Sequence, residues 1–194
     1  MDFNYAFTTH RNPAGGSYVD YGNPKAATFV GTAISKWNTA SATSLYRTFS
    51  GASEMNVDLS KWSVGKVVRL RDTFRSASKF TGTGLALWDT ASATSLDSIF
   101  SGAVEMNADL TGWKVGKVTS LAYTFSWASK FTGTGVDAWD ITKVAAMTDI
   151  FASTTSLTTC NKRRVADAWK SSAAFVATTY DTDWTADTCT VRFE

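Results

Sequence analysis

The stretch VVRLRDTFRSAS, residues 67–78, sets Val67, Leu70, Phe74 and Ala77 at intervals of three, four and three. That rhythm places all four on one side of a helix. Just upstream, Leu59, Trp62 and Val64 read as L-x-x-W-x-V, whose W-x-V end alternates with period two, as a short strand does. The helical stripe returns as Val118, Leu121, Phe125 and Ala128. One unit is therefore expected to be a short strand followed by a turn or two of helix. Neither part is stable alone, because so short a helix is marginal and a lone strand has no partner.

The unit recurs along the chain. TASATSLYRTFSGASEMN at 39–56 is answered by TASATSLDSIFSGAVEMN at 90–107, and residues 39–89 and 90–140 share 34 identities over 51 positions. Trp37, Trp62, Trp88, Trp113 and Trp139 are spaced by 25, 26, 25 and 26 residues. Phe49, Phe74, Phe100, Phe125 and Phe151 keep the same steps, as do Leu45, Leu70, Leu96, Leu121 and Met147. A period of this length marks a stack of units in which each buries the face of the next. The long units differ by one residue in the connecting turn, FTGTGLALW (80–88) against MNVDLSKW (55–62). Gly82, Gly84, Gly133 and Gly135 are expected to give that turn its positive φ values. They recur in phase with the repeat and lack the lysine and helix that a phosphate-binding loop requires.

The anchors L-x-x-W-x-V-x-x-V-x-x-L-x-x-x-F, as in LTGWKVGKVTSLAYTF (110–125), with FSGA at 49–52 and 100–103, resemble the BspA-like surface-protein repeat. That family is a leucine-rich-repeat relative found in bacterial surface proteins, mycoplasma lipoproteins and microbial eukaryotes. The resemblance covers about 29–157. Thr39, Thr90 and Ala93 replace apolar anchors, and FAST (151–154) replaces FSGA. The tail CNKRRVADAWKSSAAF (160–175), with DWTADTC (183–189) beyond it, resembles the cap of algal members. The resemblance implies an α/β, leucine-rich-repeat-like solenoid of about five 25–26-residue units, each a short strand plus a short helix. It also implies adhesion or protein–protein contact, with no catalytic residues to carry over.

Three regions follow: an extended N-terminal arm over 1–28, the repeat solenoid over 29–157 and a helical C-terminal cap over 158–194. The arm holds Phe3, Tyr5, Phe7, Tyr18 and Tyr21 among Gly and Pro, without a period. In the cap a helix is expected over 161–172, with Val165 and Trp169 four apart on one face. Cys160 and Cys189 could be buried thiols or a disulfide. Their place in one terminal segment favours the disulfide, and with it an oxidising compartment, either the cell surface or exterior or an organelle lumen.

Composition narrows the function. A hydrophobic share of 44% and a net charge of +2 describe a folded chain without the basic footprint of a nucleic-acid binder. No apolar run reaches the roughly 20 residues of a membrane span, and the stretch MDFNYAFTTHRNPAGG (1–16) shows no leader pattern. The single histidine, His10, sits in the arm, so no Ser-His-Asp or Cys-His site and no zinc cluster is expected, nor any cofactor. Asp58, Asp109, Asp89 and Asp140 recur beside turns, with Glu54 and Glu105 near the first two; they are read as turn caps rather than calcium ligands. No N-x-S/T acceptor occurs.

Surfaces remain. Beside W-x-V the outward residues are Lys36, Asn38, Lys61, Ser63, Leu87, Asp89, Gly112, Lys114, Ala138 and Asp140, a mixed row. On the other side Tyr46, Arg47, Arg69, Arg71, Arg75, Tyr123 and Trp127 escape the apolar stripe, and Trp127 stands where other repeats have small or polar residues. Tyr, Trp and Arg are the residues interface centres favour. Phe3, Tyr5 and Phe7 of the arm are a second candidate anchor. The expected function is a non-catalytic scaffold or linker contacting other proteins, as a subunit of a larger assembly that includes a membrane-bound complex among the options; cell-surface adhesion is the alternative.

Overall fold

A computed structural model describes residues 2–9, 23–187 and 189. Successive repeats lie on one another, joined by single parallel bridges from Ser44 to Arg69, Arg69 to Ser95, Ser95 to Ser120 and Ser120 to Ala146. The α/β fold class expected above is thereby corrected. Among the described residues the repeats contain no α-helix and no strand longer than one bridge, so they are not strand–helix units of a leucine-rich-repeat-like solenoid.

The reason lies in how the backbone donors are used. Each repeat has a ribbon of consecutive turns, at 44–52, 69–77, 95–103, 120–128 and 146–154, which we number 1 to 5. On ribbon 1 the N–H groups of Leu45, Arg47, Phe49 and Gly51 donate to the carbonyls of Arg69, Arg71, Thr73 and Arg75 on ribbon 2. The alternate N–H groups of Thr48, Ser50 and Ala52 close turns onto Leu45, Arg47 and Phe49. A helix would spend all of these donors internally, and a strand would spend none of them so. The hand of the chain also reverses at every fourth residue. Arg47 and Gly51 have φ of 55° and 77°, and Asp72 and Ser76, Ser98 and Gly102, Tyr123 and Trp127, Asp149 and Ser153 repeat the pair. A right-handed helix cannot pass through left-handed residues. Tight turns still shorten the chain much as a helix does, so the three-four-three spacing of Val67, Leu70, Phe74 and Ala77 persists, and all four are buried.

The W-x-V segments are extended at Trp88 and Trp139, yet side chains join them to their neighbours. The indole N–H groups of Trp62, Trp88, Trp113 and Trp139 donate to the carbonyls of Ile34, Leu59, Leu85 and Leu110 in the preceding repeat, at 2.8–3.3 Å. Thr39 and Thr90, which replace apolar anchors, are buried; each hydroxyl accepts the N–H of Ser63 or Lys114 at 2.8 Å and donates to the same residue's carbonyl. Inside, Phe49, Phe74, Phe100, Phe125 and Phe151 stack with centroids 5.5–5.8 Å apart. Each such pair contributes about 0.5–1.5 kcal/mol beyond its area burial.

The longer turns end in short 3₁₀ segments at Thr32–Lys36, Leu85–Leu87 and Val136–Ala138. Before the last two, Gly84 and Gly135 take φ of 93° and 88°, and a Cβ on either would lie 2.2 Å from a backbone nitrogen of the preceding repeat. Only glycine fits there.

Both ends of the stack are covered. Residues 2–9 form one more rung on ribbon 1: Asp2 bridges to Ser44, and the N–H groups of Phe3, Tyr5, Phe7 and Thr9 donate to Ser44, Tyr46, Thr48 and Ser50. At the other end three helices follow ribbon 5, α1 (Thr159–Trp169), α2 (Ala173–Val176) and α3 (Tyr180–Thr185). Trp169 stacks on Trp139 and Phe151, and a disulfide joins Cys160 to Cys189.

Candidate functional site

The outward faces of the ribbons carry most of the side chains singled out from sequence. In each ribbon the second and sixth positions point inward (Leu70 and Phe74 in ribbon 2), while the left-handed fourth and eighth positions lie at or near the surface, apart from the buried Arg47 and Asp72 at the fourth position of ribbons 1 and 2. Glycine tolerates that conformation best, followed by asparagine and aspartate; the small residues Gly51, Ser76, Gly102 and Ser153 fill the eighth position in four ribbons. In ribbon 4 the two sites hold Tyr123 and Trp127, which are 42% and 65% exposed. A bulky aromatic held at φ of 57° or 61° costs backbone energy, of order 1–3 kcal/mol. The exposed ring returns little of it from the core.

Ribbon 2 holds the charge. Asp72, 1% exposed, lies 3.1 Å from Arg47, 3.5 Å from Arg71 and 3.6 Å from Arg75. Arg47 is itself buried and leans over the rings of Tyr46 and Tyr5, 5.3 and 6.0 Å from their centroids. A buried ion pair of this kind is costly to break, because the remaining charge has no water to turn to. Burial, helped by a hydrogen bond to Tyr5, pushes the Tyr46 hydroxyl above the usual tyrosine range. Arg71 and Arg75 are about half exposed, with Arg69 exposed beside them. Sequence reasoning grouped the three arginines but missed Asp72. Its signal is positional: once the 25-residue step is known, Arg47 falls one rung above it.

The arm behaves differently from the ribbon aromatics. Phe7 continues the phenylalanine stack, 5.7 Å from Phe49, and Phe3 stacks on Trp37 at 5.6 Å. Both are partly buried against the core, and Tyr5 meets Tyr46 edge-on at 5.2 Å. Phe3 and Phe7 are thus spent on the first repeat. His10, Tyr18 and Tyr21 lie outside the described residues, as do positions 190–194.

The repeated carboxylates serve turns and pairs. Asp58, Asp109 and Asp140 accept the N–H of Ser60, Thr111 and Thr142. The Thr111 and Thr142 hydroxyls, with those N–H groups, hold the Asp109 and Asp140 carboxyls below the ordinary range, and the Ser60 N–H, helped by its side chain, does the same for Asp58. Glu54 and Glu105 pair with Lys79 and Lys130 at 2.5 and 2.7 Å. Among the described residues no three of His, Cys, Asp and Glu gather as a metal would need. The W-x-V row from Lys36 to Asp140 is exposed throughout. Among the described residues no helix is long and apolar enough to cross a membrane.

A family model described as "Mycoplasma protein of unknown function, DUF285" matches residues 24–86 and 69–182. The chain belongs to that family. No curated protein and no solved structure matches it.

Proposed function

We propose that this member of a family without an assigned activity is a non-catalytic scaffold that binds other proteins through the outward face of its ribbons, as a linker or subunit of a larger assembly. One observation carries the reading: Trp127, the most exposed aromatic of the ribbons, sits in a strained left-handed position that other ribbons give to Gly or Ser. Its indole gains little from its own fold, which is the profile of a residue whose partner lies outside the chain. The disulfide is compatible with an oxidising compartment; a cell-surface or lumenal home, an algal-type membership and contact with a membrane-bound complex belong to the same reading. Tyr123→Ser with Trp127→Ser should melt no lower than wild type while losing whatever protein co-purifies with it at fixed stoichiometry from the native source. If the double variant keeps the same partners in the same ratio, the ribbon face is not the interface. A surface that sticks to cells without fixed stoichiometry would instead support adhesion.

A further inference from the structure

We infer that the open edge of ribbon 5, beside the helical cap, takes one more rung: an extended segment of a partner protein, parallel to the ribbons, with an apolar residue at its N-terminal end and basic residues at its C-terminal end. The site is separate from Tyr123 and Trp127 and does not depend on the ribbon-face reading.

Each repeat offers the next one the same backbone groups. Just before the ribbons, the carbonyls of Thr43, Val68, Thr94 and Thr119 accept the N–H of Val68, Thr94, Thr119 and Ala145 in the following repeat. At the second position Leu45, Leu96 and Leu121 donate to Arg69, Ser120 and Ala146. At the fourth, Arg47, Asp72, Ser98 and Tyr123 donate to Arg71, Asp97, Ala122 and Thr148. In ribbon 5 the corresponding groups are the Ala145 carbonyl and the N–H groups of Met147 and Asp149. Among the described residues none of these three has a partner. Backbone groups of this kind are rarely left unpaired.

There is room on that side. A cavity of about 420 Å³ lies between residues 145–149 and Ala174, Ala177 and Tyr180 of the cap. It adjoins one of about 610 Å³, which shares Ala145 and Ala174 with it and is lined by Ile141, Val144, Ala168 and Trp169. Each has the size of a ligand cleft. The Met147 side chain is buried in the core, so its backbone is what it can turn to the cavity.

The lining sets the chemistry of the occupant. Every bridge in the stack is parallel, so an added rung starts beside Val144 and ends at Asp149. At its start the larger cavity offers Ile141, Val144, Ala168 and Trp169, which favour an apolar side chain. The charged side chains lining the two cavities are both acidic, Asp140 and Asp149. Lys143 is close enough to Asp140 to act on its charge, which leaves Asp149 to be matched. One step of the stack brings fourth-position side chains together, as Arg47 and Asp72 show at 3.1 Å. A Lys or Arg at the fourth position of the new rung therefore meets Asp149 with a charge-assisted hydrogen bond. Farther along, Trp169, Tyr180 and Trp184 pack on Phe151. The cap thus blocks a whole second stack and leaves space for a short segment, whose carbonyls accept the Met147 and Asp149 N–H groups and whose N–H donates to Ala145.

The test titrates the intact, nitrogen-15-labelled protein with the peptide Val-Thr-Ala-Thr-Lys-Lys, blocked at both ends, and follows the backbone amides by NMR. The Met147 and Asp149 amide protons should move downfield, and the reversed sequence should bind about fivefold more weakly or worse. N-methylation of the second residue, whose N–H would reach Ala145, should weaken binding about fivefold. N-methylation of the third should not, because its counterparts Arg69, Ser95 and Ser120 use their N–H in no backbone bond. Asp149→Asn, which keeps a residue suited to the left-handed backbone, should weaken binding about fivefold, whereas Asp89→Asn, two repeats from Asp140, should not. Ala177→Trp, at an exposed position of the cavity wall, should block it; thermal melts check that each variant is folded. Equal binding of the reversed peptide, or equal effects of the two methylations, overturns the parallel rung. Self-association of the protein that Ala177→Trp abolishes would make the occupant a second copy and overturn the partner segment. If no peptide moves residues 145–149, this inference falls, while the ribbon-face reading keeps its own test at Tyr123 and Trp127.

Discussion

The two ends of the stack are closed by opposite means. At the N-terminal end the chain adds a rung built like the others, in which Tyr5 takes φ of 59°, matching Arg47 below it, and four backbone bonds continue the ladder. Only partly buried rings, Phe3 and Phe7, seal it. At the C-terminal end the repeat pattern stops and helices take over. Trp169, Phe175 and Trp184 are buried there, and Tyr180 meets Phe151 edge-on, with ring centroids 5.8 Å apart. Trp169 continues the tryptophan stack without its bond; among the described residues it is the one buried side-chain nitrogen without a partner. A ladder can be ended by one more rung held mainly by backbone bonds, or by a plug held mainly by apolar burial. The first should be the weaker closure, since exposed backbone bonds open most easily.

That contrast can be broken most decisively in the core. Trp88→Ala in the middle of the stack should cost about 3–5 kcal/mol, and Trp169→Ala in the plug a similar amount. Phe7→Ala should cost less, about 2 kcal/mol, because its ring is partly exposed. Urea titrations of the three variants give the order, and a Phe7 variant as damaged as Trp169→Ala would reverse the comparison. The disulfide links cysteines 29 residues apart, and reducing it should loosen the plug by roughly 2–4 kcal/mol. Hydrogen exchange should then speed up in α1–α3 while the ribbons keep their protection. Uniform loss of protection would show the plug and repeats to be one cooperative unit.

Acid gives the smallest effect. Arg163 holds the Asp167 carboxyl of α1 below its ordinary value, and the turn carboxyls of Asp58, Asp109 and Asp140 are lowered too. A depressed carboxylate adds stability that is complete above its unfolded pKa, about 4, and lost as pH falls through the folded value. All four are exposed, so a melt between pH 5 and pH 2 should show only a modest decline. Asp167→Asn should flatten the part that belongs to the plug.

The repeat anchors were legible because burial imposes a period: Trp62, Trp88, Trp113 and Trp139, and every Phe from Phe49 to Phe151, are inside. The backbone between them was not. Three-four-three spacing fits a helix and a ribbon of turns equally, and side-chain pattern alone does not tell where the N–H groups point. A hint existed in Gly51 and Gly102, which share one phase and could have announced a left-handed residue. Bulky Arg47, Tyr123 and Trp127 at such positions concealed it. The arm's place was likewise written in spacing, since Phe3 and Phe7 are four apart like Leu45 and Phe49. Without the ribbon in view that match had no meaning.

Near-identical neighbours carry a folding hazard, and the Arg47–Asp72 pair bears on it. A chain whose halves share 34 of 51 residues can close on the wrong partner, with ribbon 1 settling on ribbon 4 in place of ribbon 2. In that misregistered state Arg47 would face Tyr123 and stay buried without its carboxylate, a penalty of about 3–5 kcal/mol. The aromatic and aliphatic rungs cannot tell the two pairings apart; the ion pair can. Replacing both members with leucine should change the melt little yet add a slow, off-register phase to refolding, and a single-phase recovery would show that the stack finds its order without this mark.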